Sequence, residues 1–313
     1  GSDENFSSSF NDFRGNRIII ADRLATSFYG NTTFARDADG YPVGFGKNSQ
    51  AVLLPSFLAA YTGLYTTGAN DSAKDISLDA FRNIPIPNWT IKYTGLMRYK
   101  FFKDTFKRFS IQHAYRASYT LNSFRSNLDY DRNNPNKVDA GGNIQLQTII
   151  GNANLVEQFN PLIRVDFEMK NSLKILTEMK KDRSLSLSFD NNLLTEVQGF
   201  EYIVGFGYRF KDVIFSSKLA DNPTGIIKSD INMKIDFSYR NSKTIVRYLD
   251  YENNQIGNGQ NIWSAKLTAD YSFSKNLTAI FYYDHSFSKP VISTSFPLTN
   301  IRAGFTLRYN FGN

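Results

Sequence analysis

Cysteine is absent from all 313 residues, so neither a disulfide nor a thiolate metal site can hold this chain together. Histidine occurs only twice, which leaves little imidazole chemistry to place. No run approaches the roughly 18 apolar residues that a membrane helix needs. The most apolar stretch, Ala51 to Tyr65, is broken by Pro55, Ser56, Thr62 and Gly63. With a mean hydropathy of −0.37, a helical membrane bundle is excluded. A strong excess of one charge is missing too: 36 basic residues face 29 acidic ones, and the signs are mixed along the chain. The pI of about 9.3 therefore reflects no basic stripe, and nucleic acid is not an expected partner. Neither an initiator Met nor a signal segment precedes Gly1-Ser2-Asp3, which leads us to expect a processed or excised piece.

Aromatic residues are plentiful, at 15% of an otherwise polar chain. They fall in a period-two pattern. In the last segment Ile301, Ala303, Phe305, Leu307, Tyr309 and Phe311 share one parity, while Arg302, Gly304, Thr306, Arg308 and Asn310 share the other. Successive strand side chains point to opposite faces, so one face is apolar and the other polar. Ile231, Met233, Ile235, Phe237 and Tyr239 oppose Asp230, Asn232, Lys234, Asp236 and Arg240 in the same way. Phe200 to Phe210 repeats the rule, and Trp263 to Phe273, Leu277 to Phe287, Ile111 to Leu121, Ile163 to Met169 and Leu173 to Phe189 follow it less strictly. Weaker strands are expected at Trp89 to Met97, Asn143 to Glu157 and Lys243 to Tyr251, about ten or eleven in all.

A soluble sandwich also alternates. These segments, however, outrun the roughly 9–11 residues that a bilayer-crossing strand needs, carry aromatics toward the ends of the apolar face, and place full charges on the other. The expectation is a transmembrane antiparallel up-and-down β-barrel in residues 89–313. Phe305, Leu307, Tyr309 and Phe311 are then membrane-facing, and Arg302, Arg308, Lys234, Asp236 and Arg240 lumen-facing. Tight turns are expected at Asn241-Ser242, Ser274-Lys275-Asn276, Asp190-Asn191-Asn192 and Lys170-Asn171-Ser172. Long polar loops are expected at Ser126 to Gly142, Lys211 to Ile226, Glu252 to Gln260 and Ser288 to Asn300. Counting back from a periplasmic C-terminus puts the long loops outside the cell and leaves the Lys170 turn as an exception.

Residues 1–88 differ in kind. Ile18 to Ala25 and Ser49 to Tyr61 read as short helices around the turn-rich Asp37 to Gly46. This stretch is too long for an idle loop. An extracellular cap, rim or docking surface is expected, against helices that merely cover a sheet edge or fill the lumen.

No catalytic constellation emerges. Asp284-His285-Ser286 holds the residue types of a hydrolytic triad, but on a strand Asp284 and Ser286 point away from His285, and a triad is a matter of geometry. His113 shares a face with Ile111 and Tyr115. No cluster has metal-ligand spacing, and the glycines of Gly205-Phe206-Gly207 are read as room for a neighbouring aromatic or backbone. We expect no enzyme, no cofactor and no metal. The lumen charges are mixed in sign through Arg164, Asp166, Glu168, Lys170, Lys174, Glu178, Lys180, Asp182, Lys228, Asp230, Lys234 and Asp236. That fits either internal ion pairing or a conduit with little charge preference.

Several motifs are similar to those of one family. Asp39-Gly40-Tyr41-Pro42-Val43-Gly44-Phe45-Gly46 and Ser49-Gln50-Ala51-Val52-Leu53-Leu54-Pro55-Ser56-Phe57-Leu58-Ala59-Ala60-Tyr61 resemble the SprA/Sov family. So do Ile84-Pro85-Ile86-Pro87-Asn88-Trp89, His113-Ala114-Tyr115-Arg116, Glu157-Gln158-Phe159-Asn160-Pro161-Leu162 and Gly205-Phe206-Gly207-Tyr208-Arg209-Phe210. The resemblance runs from about Phe13 to the end and matches only the C-terminal part of much longer family members. It implies the outer-membrane translocon of the type IX secretion system of Bacteroidota, which also serves gliding motility. The implied fold is a giant barrel of about 36 strands, of which this chain would be an arc. The implied partners are the rest of that barrel, a PorV-type barrel protein, a periplasmic plug protein and secreted cargo. The alternative is a self-closed barrel acting as a small-solute porin or surface anchor.

Overall fold

The structure is a computed structural model that describes residues 5–62, 71–81, 85–216, 224–251, 254–292 and 294–311. The central residues 217–223 of the loop expected after Lys211, Glu252 at the start of another, and Ile84 of the Ile-Pro-Ile-Pro motif lie outside that set.

The chain begins with two long helices. In α1 (Ser8–Tyr29) the Ser7 hydroxyl accepts from the Phe10 amide, and Gly30 closes the other end in the left-handed region, donating to Thr26. These are the usual start and stop devices of a helix. Phe10, Phe13, Arg17, Ile20, Ala21 and Ala25 recur at helical spacing and are buried. The sequence expectation at Ile18–Ala25 was therefore too short. Its apolar run is only the middle of a helix whose first turns are polar apart from Phe10 and Phe13. Helix α2 (Gln50–Thr62) is buried almost all round, from Val52 to Ala59, as expected for a helix enclosed by protein. Helix α3 (Asp71–Asp75) is one turn.

A single antiparallel sheet follows. Its strands are β1 (Trp89–Tyr93), β2 (Phe106–Asn122), β5 (Asn152–Met169), β6 (Lys174–Ser188), β7 (Leu193–Ser216), β8 (Ile226–Tyr248), β9 (Asn254–Ser272), β10 (Leu277–Pro290) and β11 (Leu298–Tyr309). They are hydrogen-bonded in that order. The two-residue strands β3 (Arg125–Ser126) and β4 (Thr148–Ile149) form a ribbon in the β2–β5 connection, and helix α4 (Lys100–Thr105) lies between β1 and β2. β1 and β11 are the sheet's two edges and do not pair with one another. Among the described residues the sheet is not a closed barrel.

Nine strands replace the ten or eleven expected, because two pairs of segments fuse. Asn241-Ser242 is not a turn. Both residues stay extended within β8, paired to Phe200 and Gly199 on one side and to Asn261 and Gln260 on the other. A two-residue hairpin needs positive φ, which Asn-Gly supplies more readily than Asn-Ser. Two of the tight turns that do form carry such residues, Ser172 at φ 71° and Asn192 at φ 51°. Likewise Ala153–Glu157 and Ile163–Met169 are one strand. Pro161, which has no N–H to give the ladder, sits where the register shifts between Phe159 and Ile163.

Losing the Asn241 turn reverses the end assigned to three connections. The Lys170–Ser172 and Ser274–Asn276 turns now lie at the same end as Tyr309, as do Ser216 and Ile226. The long 123–151 connection, the 249–253 and 291–297 loops and the helices lie at the opposite end, with the Asp190–Asn192 turn. The exception at Lys170 disappears, but the tight Asp190–Asn192 turn and the connection after Lys211, expected outside, now stand against the rule in its place.

Candidate functional site

The register carries one parity across all nine strands. The apolar face takes Ile91, Ile111, Val165, Ile175, Val204, Ile235, Leu267, Tyr283 and Ala303, strand by strand. Near mid-sheet this face is uncovered. Phe305 is 63% exposed and Phe237 50%, and Ile91, Ile301 and Leu307 exceed half. Aromatic rows bound it. Toward the helices, Tyr239 packs against Trp263 at 5.3 Å and Trp263 against Phe287 at 5.6 Å, with tilted rings, while Trp89 meets Tyr115 at 4.5 Å. Toward the C-terminal end lie Phe106 and Phe167 at 5.1 Å, Tyr208 and Phe210 at 4.8 Å, and Tyr309 and Phe311 at 4.7 Å. From Tyr239 to Ile231 is about 26 Å of strand at roughly 3.3 Å per residue. An apolar area this large needs a partner other than water.

The opposite face is a lattice of ion pairs. Glu178 meets Arg164 at 3.7 Å and Lys180 at 3.8 Å; Lys180 continues to Glu201, Glu201 to Arg240, and Arg240 to Asp182. Arg108 bridges Asp166 and Glu168, Lys234 pairs with Asp236 at 2.9 Å, and Arg302 with Asp284 at 3.4 Å. Charges of both signs pair across this face, with cations such as Lys92, Arg116, Lys266 and Arg308 in modest excess. The glycines serve this lattice rather than aromatics. A Cβ on Gly205 would stand 2.6 Å from Asp236 Oδ1, so the expectation of a neighbouring aromatic is corrected there to a carboxylate. An aromatic over glycine does occur elsewhere, where the Tyr282 ring covers Gly304.

The site residues read from sequence divide as expected by face. Phe305, Leu307 and Tyr309 stand on the apolar parity of β11, and Phe311 follows just beyond the strand. Arg302, Arg308, Lys234, Asp236 and Arg240 stand on the polar one. His285 lies on the apolar parity and its Nδ1 is 3.2 Å from the Tyr283 hydroxyl, whereas Asp284, on the other parity, pairs with Arg302. The Asp284-His285-Ser286 types are not brought together. His113 Nδ1 lies 2.6 Å from the Leu162 carbonyl oxygen.

Sequence reasoning missed how the helices dock. They cover neither an edge nor the polar face. Beyond the aromatic row the strands continue, and α1 and α2 pack on the apolar face there: Phe10, Phe13, Leu53, Leu54, Phe57 and Tyr61 meet Ala153, Leu155, Leu185, Leu187, Leu194 and Leu249. Burying each such Leu is worth about 1.5–3 kcal/mol. Within this seam Arg247 and Glu196 pair at 2.7 Å, almost fully buried, and Arg247 also donates to the Asn5 carbonyl. Arg17 ties α1 to Leu249 O and Asn48 Oδ1; burial lowers its pKa, and burial raises that of the Tyr61 phenol. The signal was present. Glu157, Lys181, Arg183, Glu196, Lys243 and Arg247 put charge on the apolar parity, so the break in alternation marks where the covering of that face changes.

No protein-family model matches the chain, and no curated protein matches its sequence.

Proposed function

We propose that the sheet is a stretch of outer-membrane barrel wall, the C-terminal arc of a protein-conducting channel of the SprA/Sov type, and not an enzyme. The observation that carries this reading is the uncovered apolar face, bounded by aromatic rows whose separation along the strand, at the roughly 35–45° tilt of barrel strands, spans about 20 Å of the roughly 25 Å apolar band of outer-membrane barrels. The open edges support the arc over a small closed barrel: β1 and β11 are free to pair with strands of the remainder of a larger barrel. The polar face, with charges of both signs largely paired, suits a wetted lumen passing folded cargo. In this reading the C-terminal end is periplasmic, where the plug protein binds, and the helices stand on the extracellular side. The PorV-type partner would meet the lipid-facing side.

Two experiments test it. The complete protein, purified and stripped of partners, should let small folded proteins pass in liposome flux, since barrel diameter grows with strand number. Flux limited to sugars and ions overturns the reading in favour of a porin. A map of the complete protein should show β1 and β11 each paired to other strands; direct β1–β11 pairing contradicts the arc.

A further inference from the structure

Between the exposed aromatic row and the helix-covered seam, the apolar face carries a polar stripe two residues deep. Across β5 to β8 it reads Phe159, Lys181, Phe200 and Asn241 in one row and Glu157, Arg183, Gln198 and Lys243 in the next. Lys289 extends the first row on β10, opposite Asn261. Four cations thus stand against one carboxylate. That carboxylate is already held, since Arg183 and the Tyr115 hydroxyl both donate to Glu157. Lys181 and Lys289 are exposed and make no ion pair among the described residues. Around Lys181 the stripe deepens into a cavity of about 370 Å³, lined by Phe159, Arg183, Gln198, Phe200 and Asn241 together with the acidic Glu157, held by Arg183, and Asp182, whose carboxylate pairs with Arg240 on the polar parity. The Tyr61 ring of α2 lies 5.4 Å from the Arg183 guanidinium.

From this geometry we infer that the cavity holds the phosphorylated headgroup of a membrane lipid from the leaflet beneath the helices. The inference rests on the membrane reading of the apolar face. A lipid whose chains lie on Phe237, Tyr239 and Trp263 brings its headgroup to the level of Lys181. There the Lys181 ammonium supplies donors to phosphate oxygens, beside Arg183, which is held by Glu157, and the Gln198 and Asn241 amides, which donate to Glu196 and Asn261. Basic residues just outside an aromatic girdle are where anionic headgroups are attracted. Exposed Lys181 and Lys289, on the lipid parity rather than the lumen parity, otherwise lack a counter-charge. The occupant is a lipid rather than a free anion because the floor of the cavity, Phe159 and Phe200, runs without interruption into the aromatic row.

The test uses the full protein, delipidated in detergent and then titrated with bisphosphorylated lipid A, with enzymatically dephosphorylated lipid A, and with inorganic phosphate. Bisphosphorylated lipid should bind and raise the melting temperature, and dephosphorylated lipid should do so far less. Lys181→Glu should weaken binding by about fivefold or more, on the scale of one basic residue near an anionic surface. Lys181→Arg should retain binding, and Arg308→Glu on the polar face should leave it unchanged. Equal binding of the dephosphorylated lipid, an unchanged Lys181→Glu variant, or displacement by inorganic phosphate as effectively as by lipid would overturn the site while leaving the membrane reading intact. Protein that stays monodisperse without detergent or lipid would overturn both.

Discussion

Along β5 to β8 the same face of the same strands is built twice. Toward the C-terminal end it carries Phe, Tyr, Ile and Met, bare of any protein neighbour. Toward the helices it carries Ala153, Leu155, Leu185, Leu187 and Leu194, each at 0% exposure. Helices packed on a sheet need small and aliphatic side chains for close approach, and a protein seam can also shelter a paired charge such as Glu196–Arg247. A bare face meets neither demand. It is aromatic instead, with its rings packed in rows across the strands. Parity alone therefore identifies a face, and side-chain type along that face tells what covers it.

Breaking the seam should have the largest effect. Arg247→Ala strands Glu196 without its buried partner and should cost about 3–5 kcal/mol, seen as a lower melting temperature and less assembled protein. The double change Glu196→Leu/Arg247→Leu should recover most of that loss; if it does not, the pair is more than a sheltered charge. On the bare face Phe305→Arg should cost about 2–4 kcal/mol against little for Thr306→Arg, compared by heat-modifiable migration and outer-membrane abundance. Equal tolerance at both positions would dissolve the distinction between the faces. Deleting Tyr309 to Asn313 should lower assembled protein further than Tyr309→Ala does, by the same abundance assay. Smallest is the tie within the helical region. The Lys47–Asp39 hydrogen bond, at 2.9 Å, raises the Lys47 pKa. Its contribution is therefore complete below the unfolded lysine pKa of about 10.4 and fades as pH rises through the folded value. Asp39→Asn and the parent should differ slightly in melting temperature at pH 8 and converge above about pH 11.

Much of the wall was legible in the sequence because period two is a local property: each of Tyr202, Val204, Phe206, Tyr208 and Phe210 declares its face without reference to distant residues. What failed was punctuation. Asn241-Ser242 has turn chemistry, yet ladder partners on both sides hold it extended, and only the neighbouring strands could reveal that. Pro161 looked like an end and is a register shift within β5. The start of α1 was hidden because Asn11, Asp12 and Arg14 dilute its apolar spacing. The seam was illegible as a contact because its halves, Phe13 and Leu185 for example, are far apart in the chain. Its only local trace was charge on the wrong parity at Glu196 and Arg247.

The central claim is that the two faces of one sheet meet lipid and water. Single spin labels at each position from 301 to 308, in the complete protein reconstituted in bilayers, test it directly by collision with oxygen and with a water-soluble nickel chelate. The account predicts strict alternation, with labels at 301, 303, 305 and 307 reached by oxygen and those at 302, 304, 306 and 308 by nickel. Accessibility that varies smoothly along the strand, or nickel reaching 305 as readily as 306, would contradict it.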